Sequence, residues 1–162
     1  MNIQLGRSKN VRRAYGIDEI ALVPGKQTVD PEITDTKWCI GGIEREIPII
    51  ASAMDGVVNV EMASLLSKLG SLGVLNLEGI NTRYNETATI LEQISSVDKN
   101  GFVKLMQEIY SQPIKEELVA KRILEIKELG GIAAVSGTPA AAIRFRDVIQ
   151  DSKADIFFIQ AT

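Results

Sequence analysis

The chain of 162 residues contains no histidine and a single cysteine, Cys39. The lack of histidine excludes imidazole general bases, histidine metal ligands and histidine-based catalytic triads within these residues. A single cysteine excludes an internal disulfide framework and a cysteine metal cluster. Acid–base chemistry within this chain therefore depends on carboxylates, lysine, tyrosine or arginine.

Basic clusters and long apolar runs are missing as well. The chain has 18 Lys and Arg against 21 Asp and Glu, and the basic residues are spread along it, which argues against a nucleic-acid surface. No apolar run approaches the roughly 20 residues of a membrane helix, and the N-terminus lacks a signal-peptide core. We therefore expect a cytoplasmic protein with no nucleic-acid or membrane partner.

The sequence does contain a regular alternation of short apolar runs and amphipathic stretches from Ile47 onward. Aliphatic runs of this length are typical of parallel strands covered on both faces. The predicted strands lie at 47–53, 72–76, 132–136 and 155–160. The predicted helices lie at 60–69, 87–95, 101–110, 115–128 and 139–150.

Polar residues, glycines and prolines mark the ends of these predicted helices. Asn59 is a predicted N-cap and Gly70 a predicted helix stop, which explains Gly70 better than a phosphate-binding loop would. Thr138 and Pro139 have the order of an N-cap and a first helical residue, and we favour capping over an anion site there. Pro113 suits the first turn of the helix that follows it.

Alternating strands and helices predict parallel strands joined by right-handed crossovers. Two architectures share this pattern: an open doubly wound sheet, and a TIM (β/α)₈ barrel of about 250 residues. The chain ends just after a buried strand with no covering helix, which favours the barrel. The predicted fold is therefore α/β, with residues 47–162 forming about four β/α units, the N-terminal half of a barrel. Residues 1–46 are predicted to form an N-terminal arm and a cap over one end.

A polar corner, Ser52 to Gly56, follows the first predicted barrel strand, where the active-site loops of barrels lie. The hydroxyl of Ser52 can donate to a phosphate or sugar oxygen, and Met54 offers an apolar surface to a planar ring. Gly56 permits a sharp turn into the next helix. Spacing alone is explained more simply by a strand-to-helix turn in which Asp55 bonds nearby amides.

Three segments, "DEIALVPGKQTV", "IPIIASAMDGV" and "LGSLGVLNLEG", resemble the start of the IMP dehydrogenase / GMP reductase family in order and spacing. The resemblance is strongest to the bacterial IMP-dehydrogenase-related branch that lacks CBS domains, through "RRAYGIDEIALVPG", "KWCIGGIEREIPIIASAMDGV" and "GGIAAVSGTPAAA". The stretch between Glu78 and Gly131 is too short for a CBS pair. We expect a helical insertion near 81–112 instead.

The resemblance implies a pocket for a purine nucleotide (IMP, XMP or GMP) and hydride transfer with NAD or NADP. The nucleotide-binding residues that it implies are Ser52, Met54, Asp55 and Gly56. Gln160, which stands where the classical enzymes carry an aspartate, and Thr162 would face the cofactor. Full-length relatives suggest a homotetramer and a K⁺ site.

The family's nucleophilic cysteine, phosphate-binding glycines, cation loop and flap lie later in its chains, so we expect no catalytic residue and no metal ligand here. Cys39 precedes the first barrel strand and is expected to pack in the cap. Phe102, Leu105, Met106, Ile109 and Tyr110 have helical spacing and are expected to belong to a core or a subunit interface.

The expected function is that of an IMP dehydrogenase in guanine nucleotide biosynthesis. Such an enzyme converts IMP, NAD and water to XMP and NADH through a purine bound to cysteine. Three alternatives are an NADPH-dependent GMP reductase, an FMN-dependent barrel oxidoreductase, and a non-catalytic relative that binds purine nucleotides. As an N-terminal fragment without the nucleophile, the chain by itself is expected to be inactive.

Overall fold

In a computed structural model, which describes residues 2–5 and 9–160, the chain separates into two units, Met1–Asp35 and Thr36–Thr162. The first unit contains an antiparallel hairpin of β1 (Asn2–Leu5) and β2 (Lys9–Arg12). Two 3₁₀ turns follow, at Ile17–Glu19 and Pro31–Ile33. The predicted boundary at 46/47 and the role of residues 1–46 as a cap stay predictions.

The second unit is built on a parallel sheet. A short antiparallel hairpin, β3 (Trp38–Ile40) and β4 (Ile43–Arg45), precedes it. The four strands of the sheet are β5 (Ile50–Ala51), β6 (Leu72–Asn76), β7 (Ala134–Gly137) and β8 (Ile156–Ile159). Neighbours in sequence are neighbours in the sheet, and every pair is parallel. The prediction of an α/β fold with a parallel sheet is confirmed.

Six helices connect these strands or lie between them in the described part of the second unit. They are α1 (Val60–Lys68), α2 (Thr87–Ser96), α3 (Lys99–Ser111), α4 (Glu116–Glu128), α5 (Pro139–Arg144) and α6 (Arg146–Asp151). None of them is long and apolar enough to cross a membrane.

Two of the helix predictions need correction. Pro113 precedes α4 instead of lying in its first turn, because the helix begins at Glu116. The single helix predicted at 139–150 is two short helices, since the backbone at Phe145 (φ −101°, ψ 12°) leaves the helical region. The ring of Phe145 is 1% exposed and packs in the core, so the break places an aromatic anchor against the sheet.

The connecting helices cover one face of the sheet. Leu75 and Val135 point to that face and pack with residues of α1, α4, α5 and α6 in the larger core cluster. On the other face, Leu72, Val74 and Ala134 form a smaller cluster, and Trp38 packs against it. Among the described residues, no helix contributes to this cluster. Coverage from one side distinguishes this sheet from a doubly wound sheet, which has helices on both faces.

Helix α1 packs on the sheet with the side that carries mostly small residues. Asn59 caps it as predicted, accepting a hydrogen bond from the Met62 amide at 2.8 Å. The buried side carries Val60, Ala63, Ser64 and Ser67, whereas Met62, Leu65 and Leu69 are 40%, 51% and 59% exposed. Small residues lie inward because the helix approaches β6 closely: a Cβ at Gly73 would lie 3.0 Å from the Ala63 Cα.

Candidate functional site

The carboxyl ends of β5 to β8 meet at one edge of the sheet, because the strands are parallel. Two turns leave this edge: the first turn (residues 52–58) follows β5, and the second turn (residues 76–83) follows the end of β6. Gly137 and Thr138 lie at the end of β7, and Gln160 follows β8.

A cavity of about 350 Å³ opens at this edge, on the face of the sheet that the helices do not cover. Ser52, Ser136 and Gln160 contribute its polar lining, and Val74 and Phe158 contribute apolar surface. The Gln160 side-chain amide donates to the Ser136 hydroxyl at 2.8 Å. An apolar floor with a few convergent polar groups is the general form of a small-molecule site.

The first turn carries all four of the predicted nucleotide-binding residues. Its backbone is held by hydrogen bonds from the Met54 amide to the Ser52 carbonyl (2.8 Å) and from the Val57 and Val58 amides to the Met54 carbonyl (2.9 Å each). Ser52 and Gly56 are exposed, and Met54 is 58% exposed. Ser52 lines the same cavity as Gln160, but Met54, Asp55 and Gly56 are not among its lining residues.

Asp55 points towards the second turn and α3. One carboxylate oxygen accepts a hydrogen bond from the Tyr110 hydroxyl at 2.5 Å, and the other lies 3.5 Å from the Asn81 side-chain amide. A Cβ at Gly79 would lie 1.9 Å from that second oxygen, so only glycine leaves room for the carboxylate there. Asp55 therefore bonds side chains of other elements, instead of the nearby amides that the simpler explanation predicted.

Burial raises the pKa of the Tyr110 phenol above its ordinary value, and the hydrogen bond and negative charge of Asp55 raise it further. The Arg83 guanidinium, 5.6 Å from the centre of the ring, acts in the opposite direction on this pKa. The phenol therefore stays protonated at neutral pH and remains a hydrogen-bond donor to Asp55.

Glu78 joins the second turn to the end of β7. Its carboxylate accepts hydrogen bonds from the Thr138 backbone amide at 2.6 Å and from the Thr138 hydroxyl at 3.1 Å. The same hydroxyl accepts from the Ala141 amide at 3.2 Å and so caps α5. The structure thus supports capping, the preferred explanation of Thr138 and Pro139.

The second turn is also held from the side of α4. Arg122 is only 8% exposed, although it lies on the highly charged helix α4. Its guanidinium donates to the Asn81 carbonyl at 2.9 Å, the Asn85 carbonyl at 2.7 Å and the Glu125 carboxylate at 2.8 Å. One cation therefore satisfies backbone carbonyls that the irregular segment 81–85 leaves without helical partners.

The predicted explanation of Gly70 is confirmed, because it adopts φ +85° after α1, and its amide donates to the Ser67 carbonyl. Cys39 was expected to pack in the cap, which is wrong. Strand alternation turns it to the exposed side of β3, opposite the half-buried Trp38 and Ile40. Of the apolar set on α3, only Ile109 is buried.

Sequence reasoning missed several residues at this edge. Ser136 ends the predicted third strand, and that position could have indicated a place at the same edge of the sheet as Ser52. Tyr110 was assigned to an apolar set, and no local pattern indicates that its hydroxyl reaches a residue 55 positions earlier. Thr162 lies outside the described residues. In the described part of the chain, no group of three or more Cys, Asp or Glu could hold a metal ion.

The carboxyl edge of a parallel α/β sheet, lined by convergent polar side chains, is where α/β proteins commonly place small-molecule sites. Comparison with known proteins supplies the family. The family model of the IMP dehydrogenase / GMP reductase domain matches residues 14–162. The chain therefore belongs to the IMP dehydrogenase / GMP reductase family, as the resemblance predicted.

Among relatives, an uncharacterised oxidoreductase of Mycobacterium leprae is 30% identical over 99% of this chain and 44% of its own length. The IMP dehydrogenase of Methanocaldococcus jannaschii is 30% identical over 85% of this chain and 27% of its own. An IMP dehydrogenase/GMP reductase-like protein from Corynebacterium glutamicum, a solved structure, is 26% identical with a TM-score of 0.80, covering 99% of this chain and 44% of that one. The chain thus spans less than half the length of these relatives.

Proposed function

We propose that this chain forms one wall of a purine-nucleotide site in an oxidoreductase of the IMP dehydrogenase type. The observation that carries the proposal is the convergence of Ser52, Ser136 and Gln160 on one cavity at the carboxyl ends of parallel strands. Family membership supports the ligand class, because the named relatives include IMP dehydrogenases.

The proposed architecture is the N-terminal half of a TIM barrel. Two observations support it: the helices cover only one face of the sheet, and Trp38 packs against the other face. The Trp38 indole also donates to the Ile47 carbonyl at 2.7 Å, which fixes the hairpin before β5. In a barrel, the face opposite the helices becomes the interior, and the cavity becomes part of its mouth.

Within this site, the roles of the residues follow from their chemistry. The exposed Ser52 hydroxyl can donate to a phosphate or ribose oxygen. Val74 and Phe158 offer an apolar surface to a planar base. Met54 lies outside the cavity lining, so it would reach the ligand only at the open mouth, as a flexible contact.

NAD, with NADP as the alternative, is the proposed hydride acceptor of the complete protein, with Gln160 facing it. A volume of about 350 Å³ is near the lower limit of small-molecule sites. The described residues therefore suit one nucleotide and form no cradle for a dinucleotide. A K⁺ site, a tetrameric assembly and the role of Thr162 are proposals of the same kind.

The proposed overall reaction is IMP, NAD⁺ and water giving XMP, NADH and a proton. In the family's chemistry, a cysteine thiolate holds the purine covalently and water later releases the product, and NAD would supply the hydride acceptor when bound. That cysteine is expected outside this chain. Residues of this chain hold and orient the nucleotide, and by themselves they are expected to give no turnover.

Calorimetric titration of IMP into the complete protein tests the site. The variant Ser52→Ala should weaken binding roughly tenfold, the effect of one lost hydrogen bond to a charged ligand. Ser95→Ala is the matched control, because the Ser95 hydroxyl lies on α2 and bonds only its own helix, at the Glu92 carbonyl. Equal affinities of Ser52→Ala and the wild type, or no IMP binding at all, would contradict the proposal.

The reaction class is tested by product. NADH formed from IMP supports the dehydrogenase, whereas ammonia released from GMP with NADPH identifies a reductase that uses the same pocket. Flavin absorbance in the purified protein would contradict both. IMP binding without turnover in the complete protein would leave the nucleotide site in place but overturn the enzymatic part. IMP-dependent NAD reduction by residues 1–162 alone would refute the assignment of the nucleophile to another segment.

A further inference from the structure

We infer that Tyr110 is a positioning residue that couples the helix pair α2–α3 to the first turn and so sets the affinity of the site for a purine nucleotide. The coupling stands on geometry alone, whereas its effect on nucleotide affinity rests on the proposed function. Tyr110 is the last aromatic residue of α3, and Asp55 lies between the exposed Met54 and Gly56 of the first turn.

The first turn depends on contacts from outside itself. Its own hydrogen bonds are three backbone bonds to the Ser52 and Met54 carbonyls. Its side-chain anchor is Asp55, whose hydrogen bonds go to Tyr110 at 2.5 Å and, at the longer distance of 3.5 Å, to Asn81. The short bond to a charged acceptor is the stronger of the two. Loss of the Tyr110 bond therefore releases the side chain that fixes the turn.

Tyr110 is itself held in place at the C-terminal end of α3. Arg83 lies against its ring and donates to the Glu78 carbonyl at 3.1 and 3.3 Å and to the Gln112 carbonyl. Close by, the Tyr84 hydroxyl donates to the Ile109 carbonyl at 3.0 Å. The last turn of α3 is thus tied to the second turn and presents the Tyr110 hydroxyl to the first.

The remainder of the helix pair is loosely attached. Helix α2 has no buried residue, and Ile109 is the only buried residue of α3. Few buried apolar contacts are a mark of a segment that opens locally at low free energy. A shift of the pair that reaches the last turn of α3 would move Tyr110, and the Tyr110–Asp55 bond would transmit it to the first turn.

The experiment compares Tyr110→Phe with Tyr84→Phe in the complete protein. Each variant removes one phenolic hydroxyl near the end of α3, but only Tyr110 bonds Asp55. The first readout is amide hydrogen exchange of Val57 and Val58, measured without nucleotide, because these amides report opening of the first turn. We expect roughly tenfold faster exchange in Tyr110→Phe and a clearly smaller increase in Tyr84→Phe, which loosens the end of α3 but keeps the bond to Asp55.

The second readout is the affinity for IMP, expected to fall roughly tenfold in Tyr110→Phe and less in Tyr84→Phe. Equal exchange of Val57 and Val58 in the two variants overturns the coupling, whatever the nucleotide does. If Tyr110→Phe speeds exchange but leaves the affinity for IMP unchanged, the inferred effect of Tyr110 on nucleotide binding is wrong. If the wild type binds no IMP, the proposed function fails, and exchange still decides the coupling. Asp55→Asn, which keeps the shape of the side chain and removes its charge, should also speed exchange and guards against a folding defect of Tyr110→Phe.

Discussion

The two turns at the carboxyl edge of the sheet differ in what they do. The first turn exposes Ser52, Met54 and Gly56 to solvent. The second turn is largely buried, and its Thr82 hydroxyl donates to the Leu77 carbonyl at 2.7 Å. One turn leaves its side chains free at the edge of the proposed site, while the other holds neighbouring elements together. The motif that is recognisable in the sequence, Ser52 to Gly56, therefore lies on the more exposed turn. Its position depends in part on the second turn, through the contact between Asp55 and Asn81.

The largest expected effect is on the second turn. Glu78→Ala removes the acceptor of two hydrogen bonds from Thr138 and should lower the free energy of unfolding by about 2–3 kcal/mol. Urea denaturation measures the change. Glu92→Ala, on the exposed side of α2, is the control and should cost less than about 0.5 kcal/mol. Similar losses of unfolding free energy in both variants would mean that the hydrogen bonds of Glu78 to Thr138 do not stabilise the fold.

The next largest difference is expected when a glycine in each turn is replaced by alanine. Gly79→Ala places a Cβ against the Asp55 carboxylate and should cost about 1–2 kcal/mol as that side chain is displaced. Gly56→Ala meets nothing within 4 Å and should leave the free energy of unfolding nearly unchanged. Because Gly79→Ala and Tyr110→Phe disturb the same contact, their effects should sum to more than the double variant shows. Additive effects would separate Gly79 from the Tyr110–Asp55 bond.

A smaller effect appears at alkaline pH. The pKa of Tyr110 is raised in the folded protein, so above its ordinary pKa near 10 the unfolded state loses a proton that the folded state keeps. The contribution of Tyr110 to the free energy of unfolding is fully present below that pH. It is lost as the pH rises towards the raised pKa of the folded state. Thermal unfolding between about pH 9 and 11 should show a steeper decline in the wild type than in Tyr110→Phe. The difference should be modest, because Tyr110 is 37% exposed and solvent screens its interactions. Parallel pH profiles would contradict the raised pKa.

The smallest effect on stability is expected where a ligand would bind. Ser52→Ala and Met54→Ala remove exposed side chains and should each change the free energy of unfolding by less than about 0.5 kcal/mol. Ser136→Ala, which removes a buried hydroxyl that accepts from Gln160, should cost about 1 kcal/mol. A large loss of stability in Ser52→Ala would make that serine a structural residue.

Local patterns predicted the regular elements well. The strand predicted at 72–76 is β6 at the same bounds, and Asn59 and Gly70 mark the ends of α1 as expected. The strand predicted at 47–53 is reduced to Ile50–Ala51, because strand length depends on the ladder available from β6. Which side of α1 is buried could not be predicted from its sequence. The side with small residues faces the sheet because the helix lies close to Gly73 of β6.

The sequence by itself determined the alternation of strands and helices, the helix ends and the family, because each depends on residues close together in the chain or on an ordered set of short motifs. Only the tertiary structure decided that the helices cover one face, that Ser136 and Gln160 share a cavity with Ser52, and that Tyr110 bonds Asp55. Those relations join residues far apart in sequence. Each is fixed by how the parallel strands and the helix pair pack, which no local pattern records.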